Sequence, residues 1–222
     1  MNFSIKTTKE VKDVAEFIAQ SILRQLNADK KVLFFVTGGS SIAVAVKTGE
    51  LLRQHDCKNL TIMMTDERYG PLGHSDSNWQ QLLEKGFDLP QAKLVPILIG
   101  YDINKTTEQF NIILEKELEK ADYKIGLFGV GKDGHTAGII PNSKAIKNKN
   151  WSCHHKTAQF KRITITPKTI LRLDEAVVSM QGKEKWPVLD DLEKDINIIK
   201  QPVQILKQVP LLTIFTDYKK KI

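Results

Sequence analysis

The sequence predicts an α/β fold: a single three-layer α/β/α domain over residues 1–222, built on a mostly parallel, Rossmann-like open sheet. Three observations predict it. Short apolar runs bounded by Gly, Pro, Asn and Asp alternate with longer stretches of helical period, as strands alternate with helices in βαβ units. No composition shift, internal repeat or low-complexity linker divides the chain, whose length suits one large domain. Glycine clusters follow two of the apolar runs, where an open parallel sheet offers its strand ends to ligands.

Taken in order, Val11, Val14, Ala15, Ile18, Ile22 and Leu26 recur at helical spacing, which predicts an amphipathic helix over 9–27. Val32–Val36 reads as a strand, Thr37-Gly38-Gly39-Ser40-Ser41 as a turn, and 41–53, with Val44, Leu51 and Leu52, as a helix. Strand, Gly-Gly-Ser turn and helix aim backbone N–H groups at an anion. The same residues would also make a plain tight turn with a serine cap. The next strand covers 60–65, and Asp66-Glu67-Arg68-Tyr69 are expected at its exposed end. A loop with Gly70, Pro71 and Gly73 leads to Ser77-Asn78, a cap for a helix over 79–87. A strand over 94–99 and a charged helix over 106–121 follow, the helix with Phe110, Ile113, Leu114 and Leu118 inward.

After Pro141 the lysine- and asparagine-rich stretch to about Lys161 reads as a surface excursion. Residues 162–166 alternate as a strand, and Thr166-Pro167 begins a helix with proline in its first turn. Glu175–Met180 is a strand that ends at Gly182-Lys183-Glu184-Lys185. Helices are expected over 186–194 and 203–209, and a last strand over 211–215.

The chemistry gathers at residues 125–141, IGLFGVGKDGHTAGIIP. An apolar run meets Gly126, Gly129, Gly131 and Gly134, and the turn delivers Asp133 and His135. Two nucleotide motifs nearly match and both fail. Gly129-x-Gly131-x-x-Gly134 needs a helix opening on its third glycine, and Pro141 ends the following segment too soon. The P-loop pattern that starts at Gly126 requires Ser or Thr at its eighth position, which is Asp133.

Composition narrows the classes. Hydrophobic residues make up 41%, enough for a core, and no apolar run approaches the ~20 residues of a membrane helix. The start, MNFSIKTTKEVKD, lacks the basic-then-apolar design of a signal peptide. Cys57 and Cys153 give no disulfide framework, so the expected compartment is a reducing cytoplasm. A net charge of +7 suits an anionic partner. Between Asp133 and Asp174 there is no acid, yet Lys144, Lys147, Lys149, Lys156, Lys161, Arg162, Lys168 and Arg172 all lie there. No nucleic-acid motif accompanies them, so a small anionic ligand is favoured and no nucleic-acid or membrane partner is expected. The lysine run 219–221 reads as a solvated tail. Cys153-His154-His155 has no second cluster at metal spacing and is expected at the surface, and no Gly-x-Ser-x-Gly elbow is present.

Five segments occur together in order: VTGGSSIAV, TDERYGPLGHSDSN, FGVGKDGHTAGIIP, KRITITPKTI and GKEKW. In these the chain resembles the 6-phosphogluconolactonases, within the wider superfamily of sugar-phosphate isomerases and deaminases, over about residues 11–217. The glucosamine-6-phosphate deaminases resemble it too. They place a glutamate before the proline after the turn, where this chain has Ile140, and an aromatic residue after the Asp-Glu pair, where it has Arg68. Both departures favour the lactonase. The chain also departs from the lactonases, with Lys132 where they often have proline and no proline in HHKTAQFK.

The resemblance implies hydrolysis of 6-phospho-D-glucono-1,5-lactone to 6-phosphogluconate, without metal or cofactor, by a monomer or homodimer. It implies His135 as general base with Asp133 beside it. Gly38, Gly39, Ser40, Ser41 and Lys185 are implied on the phosphate side, Arg68 and Arg162 as guanidinium contacts, and Asp66 on Arg68 or a sugar hydroxyl. A deaminase, or a non-catalytic sugar-phosphate sensor on the same fold, stands as the alternative.

Overall fold

The computed structural model describes residues 3–219. Seven parallel strands form the main sheet, because each β-strand is followed by a crossover before its neighbour is reached. In chain order the elements are β1 (Phe3–Thr7), α1 (Val11–Leu26), β2 (Val32–Val36), α2 (Ile42–Leu52), β3 (Leu60–Met64), β4 (Asp66–Arg68), α3 (Asn78–Glu84), β5 (Lys93–Val95) and α4 (Ile103–Lys120). These are followed by β6 (Tyr123–Gly129), β7 (Ser152–Lys156), β8 (Lys161–Ile165), α5 (Pro167–Ile170), β9 (Glu175–Met180), α6 (Trp186–Leu192) and β10 (Leu211–Thr216). The sheet order is β1-β10-β9-β6-β2-β3-β5. Strands β2 and β9 are buried along their whole length, as the interior of a parallel sheet covered on both faces requires. Helices α1 and α2 pack together, and Ile18, Ile22, Phe34, Phe35, Ile62 and Phe128 lie in the core. No helix among the described residues is long and apolar enough to cross a membrane.

The α/β expectation holds, with differences of detail. The strand expected over 94–99 is only Lys93–Val95, since Pro96 has no N–H with which to continue the ladder. The helix expected over 203–209 is a 3-10 turn, Pro202–Gln208. β1 escaped the sequence reading: at an exposed edge, FSIKT has no full apolar run to announce it. Of the lysine run 219–221, only Lys219 is described.

A second, antiparallel sheet, ordered β4-β8-β7, stands beside the first. After Met64 the Thr65 N–H donates to Val36 O, and the chain then pairs β4 with β8 instead of ending in solvent. Two expectations are thereby corrected. Asp66 and Glu67 lie on a strand of their own and are buried, not exposed. The segment after Pro141 contains β7, where Cys153 and His155 are buried because β8 covers one edge and α4 packs on the strand. Asn111 of α4 fastens it, donating to Ser152 O and accepting from Ser152 N.

Candidate active site

The site forms where the carboxyl ends of β2 and β6 meet β4 and β8. Its first wall is the turn after β6. Gly134 has φ +77°, a conformation that suits glycine, and its carbonyl accepts from Val203 N. This reverses the chain so that His135 returns beside Asp133. The His135 backbone N–H donates to Asp133 Oδ1 at 3.1 Å, and the ring Nδ1 lies 2.6 Å from the same oxygen. Partial burial alone would raise the Asp133 carboxyl. The His135 backbone N–H, the charge of His135 and its ring outweigh that and hold it below the ordinary carboxylate range. An ionised carboxylate only accepts hydrogen bonds, so Nδ1 carries a proton, and in the neutral form of the ring the lone pair lies on Nε2. Gln201 packs under Gly134, and its amide donates to Asp191 Oδ2 of α6 at 3.0 Å.

The second wall belongs to the small sheet. Asp66 and Arg162 form a buried ion pair, Nη1 to Oδ2 at 2.8 Å, with the side chains 4% and 18% exposed. Arg68 stands directly across the β4–β8 ladder from Arg162. Like charges in that position repel. Arg68 Nη1 donates to Asp76 O at 3.2 Å, while the Nε–H groups of both arginines are buried without a partner among the described residues. Two adjacent guanidiniums with spare donors are a receptor for oxyanions. Glu67 takes no part in the cleft. Its carboxylate accepts from the backbone N–H groups of Arg68, Asn78 and Trp79 and from Ser77 Oγ, tying β4 to the start of α3. Burial pushes its carboxyl up against the lowering effect of these four donors.

The third wall is the turn after β2. Gly38, Gly39 and Ser40 line the cleft just ahead of α2. Ser41 points inward: it is buried, its Oγ has no partner among the described residues, and it makes no capping bond to α2. The walls enclose a cleft of about 120 Å³ lined by Gly38, Gly39, Ser40, Asp66, Arg68, His135 and Arg162, joined by Thr37, Asn78, Gly129, Val130 and Ala137. Asp133 stands behind His135. Lys185 is not among the lining residues; it lies on the 3-10 turn Lys183–Lys185 after β9, at the same carboxyl edge as the β6 turn.

Gly138 joins the halves of the site. Its N–H donates to Thr164 Oγ1 at 3.0 Å, and its carbonyl lies 2.7 Å from His155 Nε2, so β8 and β7 both hold the peptide that follows His135. A Cβ at Gly138 would lie 2.7 Å from Thr164 Cβ, which leaves no room for a larger residue. Ala137 beside it adopts φ +49°, the kind of strain that surrounding structure has to impose. Burial, together with Arg162, lowers the His155 pKa despite its bond to Gly138.

Asn78 is a polar lining residue whose part in the site the sequence reading missed. Its Nδ2 donates to Asp66 O at 3.0 Å, its side chain lies against Gly38, and its Oδ1 is buried without a partner among the described residues. The only local signal was the Ser77-Asn78 cap. The capping bond itself is present, from Gln80 N to Ser77 Oγ, but it says nothing of a reach to β2. Among the described residues no cluster of three His, Cys, Asp or Glu side chains has an arrangement suited to a metal ion.

Comparison with known proteins agrees with this architecture. The family model for glucosamine-6-phosphate isomerases/6-phosphogluconolactonase matches residues 6–213. The chain is 26% identical over 209 residues to the 6-phosphogluconolactonase of Borreliella burgdorferi, covering 88% of this chain and 87% of that protein. It is 23% identical over 216 residues to the 6-phosphogluconolactonase of Thermotoga maritima, covering 93% and 90%. A crystal structure of the Thermotoga maritima 6-phosphogluconolactonase aligns with a TM-score of 0.83 at 21% identity, over 96% of this chain and 99% of that one. The Trypanosoma brucei 6-phosphogluconolactonase gives 0.78 at 21% identity, over 96% of each chain. At such identities the solved structures speak for the fold, while the match of the family model over nearly the whole length assigns the sequence. The chain belongs to the glucosamine-6-phosphate isomerase/6-phosphogluconolactonase family.

Proposed function

We propose that the chain is a 6-phosphogluconolactonase, hydrolysing 6-phospho-D-glucono-1,5-lactone to 6-phosphogluconate without metal or cofactor. The observation that carries this reading is the placement of the Asp133–His135 pair across one cleft from Arg68 and Arg162. A lactone is a reactive ester, and its hydrolysis needs one proton taken from water and one given to the ring oxygen. His135 Nε2 takes the proton as water attacks C1, and Asp133 holds the ring and stabilises its cation. The tetrahedral oxyanion then collapses, the C1–ring oxygen bond breaks, and His135 returns its proton to the departing oxygen. Fixed cations and N–H groups stabilise the oxyanion and seat the phosphate. Arg68, Arg162 and the backbone of Gly38, Gly39 and Ser40 ahead of α2 are the groups available in the cleft.

In this reading Ser41 supports the Gly-Gly-Ser turn from within. Lys185 approaches the phosphate from the edge beyond β9, and Asp66 fixes Arg162. Ile140 stands where the deaminases would need a carboxylate, which favours the lactonase over the deaminase. This reading takes the protein to act in a reducing cytoplasm, in keeping with its two free cysteines, as a monomer or homodimer.

Freshly generated 6-phosphogluconolactone, coupled to 6-phosphogluconate dehydrogenase and corrected for spontaneous hydrolysis, tests the reaction. His135→Ala is expected to lower kcat by roughly 10²- to 10⁴-fold. No wild-type turnover above background rejects the lactonase, and undiminished turnover by the variant rejects His135 as its base.

A further inference from the structure

The hairpin that joins β7 to β8 ends in an aromatic ring placed against both arginines of the cleft. Phe160 is half-buried, with Arg68 Cζ 4.8 Å and Arg162 Cζ 5.6 Å from its centroid. Sheet geometry brings this about. Phe160 precedes Arg162 by two residues and shares its face, and Arg68 is paired with Arg162, so Phe160 is the diagonal neighbour of Arg68. The turn that carries the ring is closed at both ends. Thr157 N and Oγ1 both donate to Phe160 O, at 2.8 and 3.0 Å, and Phe160 N donates to Thr157 Oγ1 at 3.0 Å. Tyr69 N donates to Lys161 O at 2.8 Å, which fastens this tip to the strand that bears Arg68.

Among the described residues Asp66 balances Arg162, whereas the Arg68 guanidinium donates to a carbonyl and has no carboxylate paired with it, and the two cations face each other across the ladder. Left to itself, Arg68 would swing away from the fixed Arg162 into water, and the two would lose their common orientation. A ring that offers negative π density to both opposes that motion. We propose that Phe160 is a positioning residue that holds Arg68 and Arg162 as one preformed receptor for a phosphorylated anion. The proposal rests on the reading above only in taking the ligand of the cleft to be such an anion.

Phe160→Leu keeps apolar bulk at the tip and removes the π face, whereas Phe160→Tyr keeps both. Calorimetric Kd for 6-phosphogluconate and KM for the lactone are expected to rise roughly five- to tenfold in Phe160→Leu, with kcat within about twofold and Phe160→Tyr close to wild type. Unchanged Kd in Phe160→Leu, or equal weakening in Phe160→Tyr, overturns the proposal. So does a fall in kcat at constant KM. Should wild type fail to hydrolyse the lactone, the lactonase reading falls while this one is judged on inorganic phosphate titrated at low ionic strength. Weaker phosphate binding by Phe160→Leu supports it; equal binding, or none by wild type, overturns it. If Phe160→Leu does not fold, Phe160→Met takes its place in the same comparison.

Discussion

Asp133 accepts from both the backbone and the ring of one histidine, so it decides where that ring points. Asp133→Asn can offer its amide N–H to Nδ1 and so favour the other tautomer, which blocks Nε2 as a base. Its kcat is expected to fall by about 10²-fold or more with KM little changed, read in the coupled lactone assay. The pH dependence of stability has a definite sign. Because His135 holds the folded Asp133 carboxyl low, its contribution is present above the unfolded value of ~3.9 and is lost as pH falls through the lower folded value. Urea midpoints of wild type and Asp133→Asn should therefore separate at neutral pH and converge in strong acid. Arg162 carries a different load. Arg162→Met leaves Asp66 buried without its cation and is expected to cost about 3 kcal/mol in urea unfolding, most of it recovered in Arg162→Met/Asp66→Asn. Residues such as Asp133, His135 and Arg68 were legible because polar chemistry at strand ends stands out against apolar runs. Asn78 and the inward turn of Ser41 were not, since their significance lies in contacts with distant strands.

At the scale of elements, Gly138 is the joint between the parallel sheet and the small one. A methyl group there must displace Thr164 or Asp66. Gly138→Ala is expected to destabilise the fold by about 1–3 kcal/mol in denaturant and to lower kcat/KM, because His135 and the arginines then lose their common frame. The elements themselves were unevenly readable. Val32–Val36 and Glu175–Met180 match the reading residue for residue, since a strand buried on both faces carries an apolar run, VLFFV in the first and AVV in the second. β4 and β7 were missed because DER and SCHHK carry no such run. Their burial depends on the partners β8 and α4 supply, including Asn111 for the backbone of Ser152 and the Glu67 acceptors for α3.

At the scale of the molecule, the α/β class and the parallel sheet followed from alternation alone, whereas the second sheet needed the tertiary structure. The charge of +7 is a property of the whole chain and acts at a distance. For a phosphorylated substrate kcat/KM is expected to fall several-fold between roughly 20 and 200 mM salt, as the screening length contracts from about 20 to about 7 Å. A neutral lactone assayed in parallel should show little of this dependence.

The pairing of β1 with β10 has a consequence for the order of assembly. Ser4 Oγ meets Thr213 Oγ1 at 3.1 Å, and β1 is an edge strand whose neighbour is β10. During synthesis, residues 3–7 leave the ribosome long before 211–216 and have no strand to join in the meantime. Strands β2, β3, β5 and β6 are all complete by residue 129, so the sheet can grow outward from them. β9 and then β10 follow in chain order, so residues 3–7 have their sheet neighbour only once 211–216 have been made.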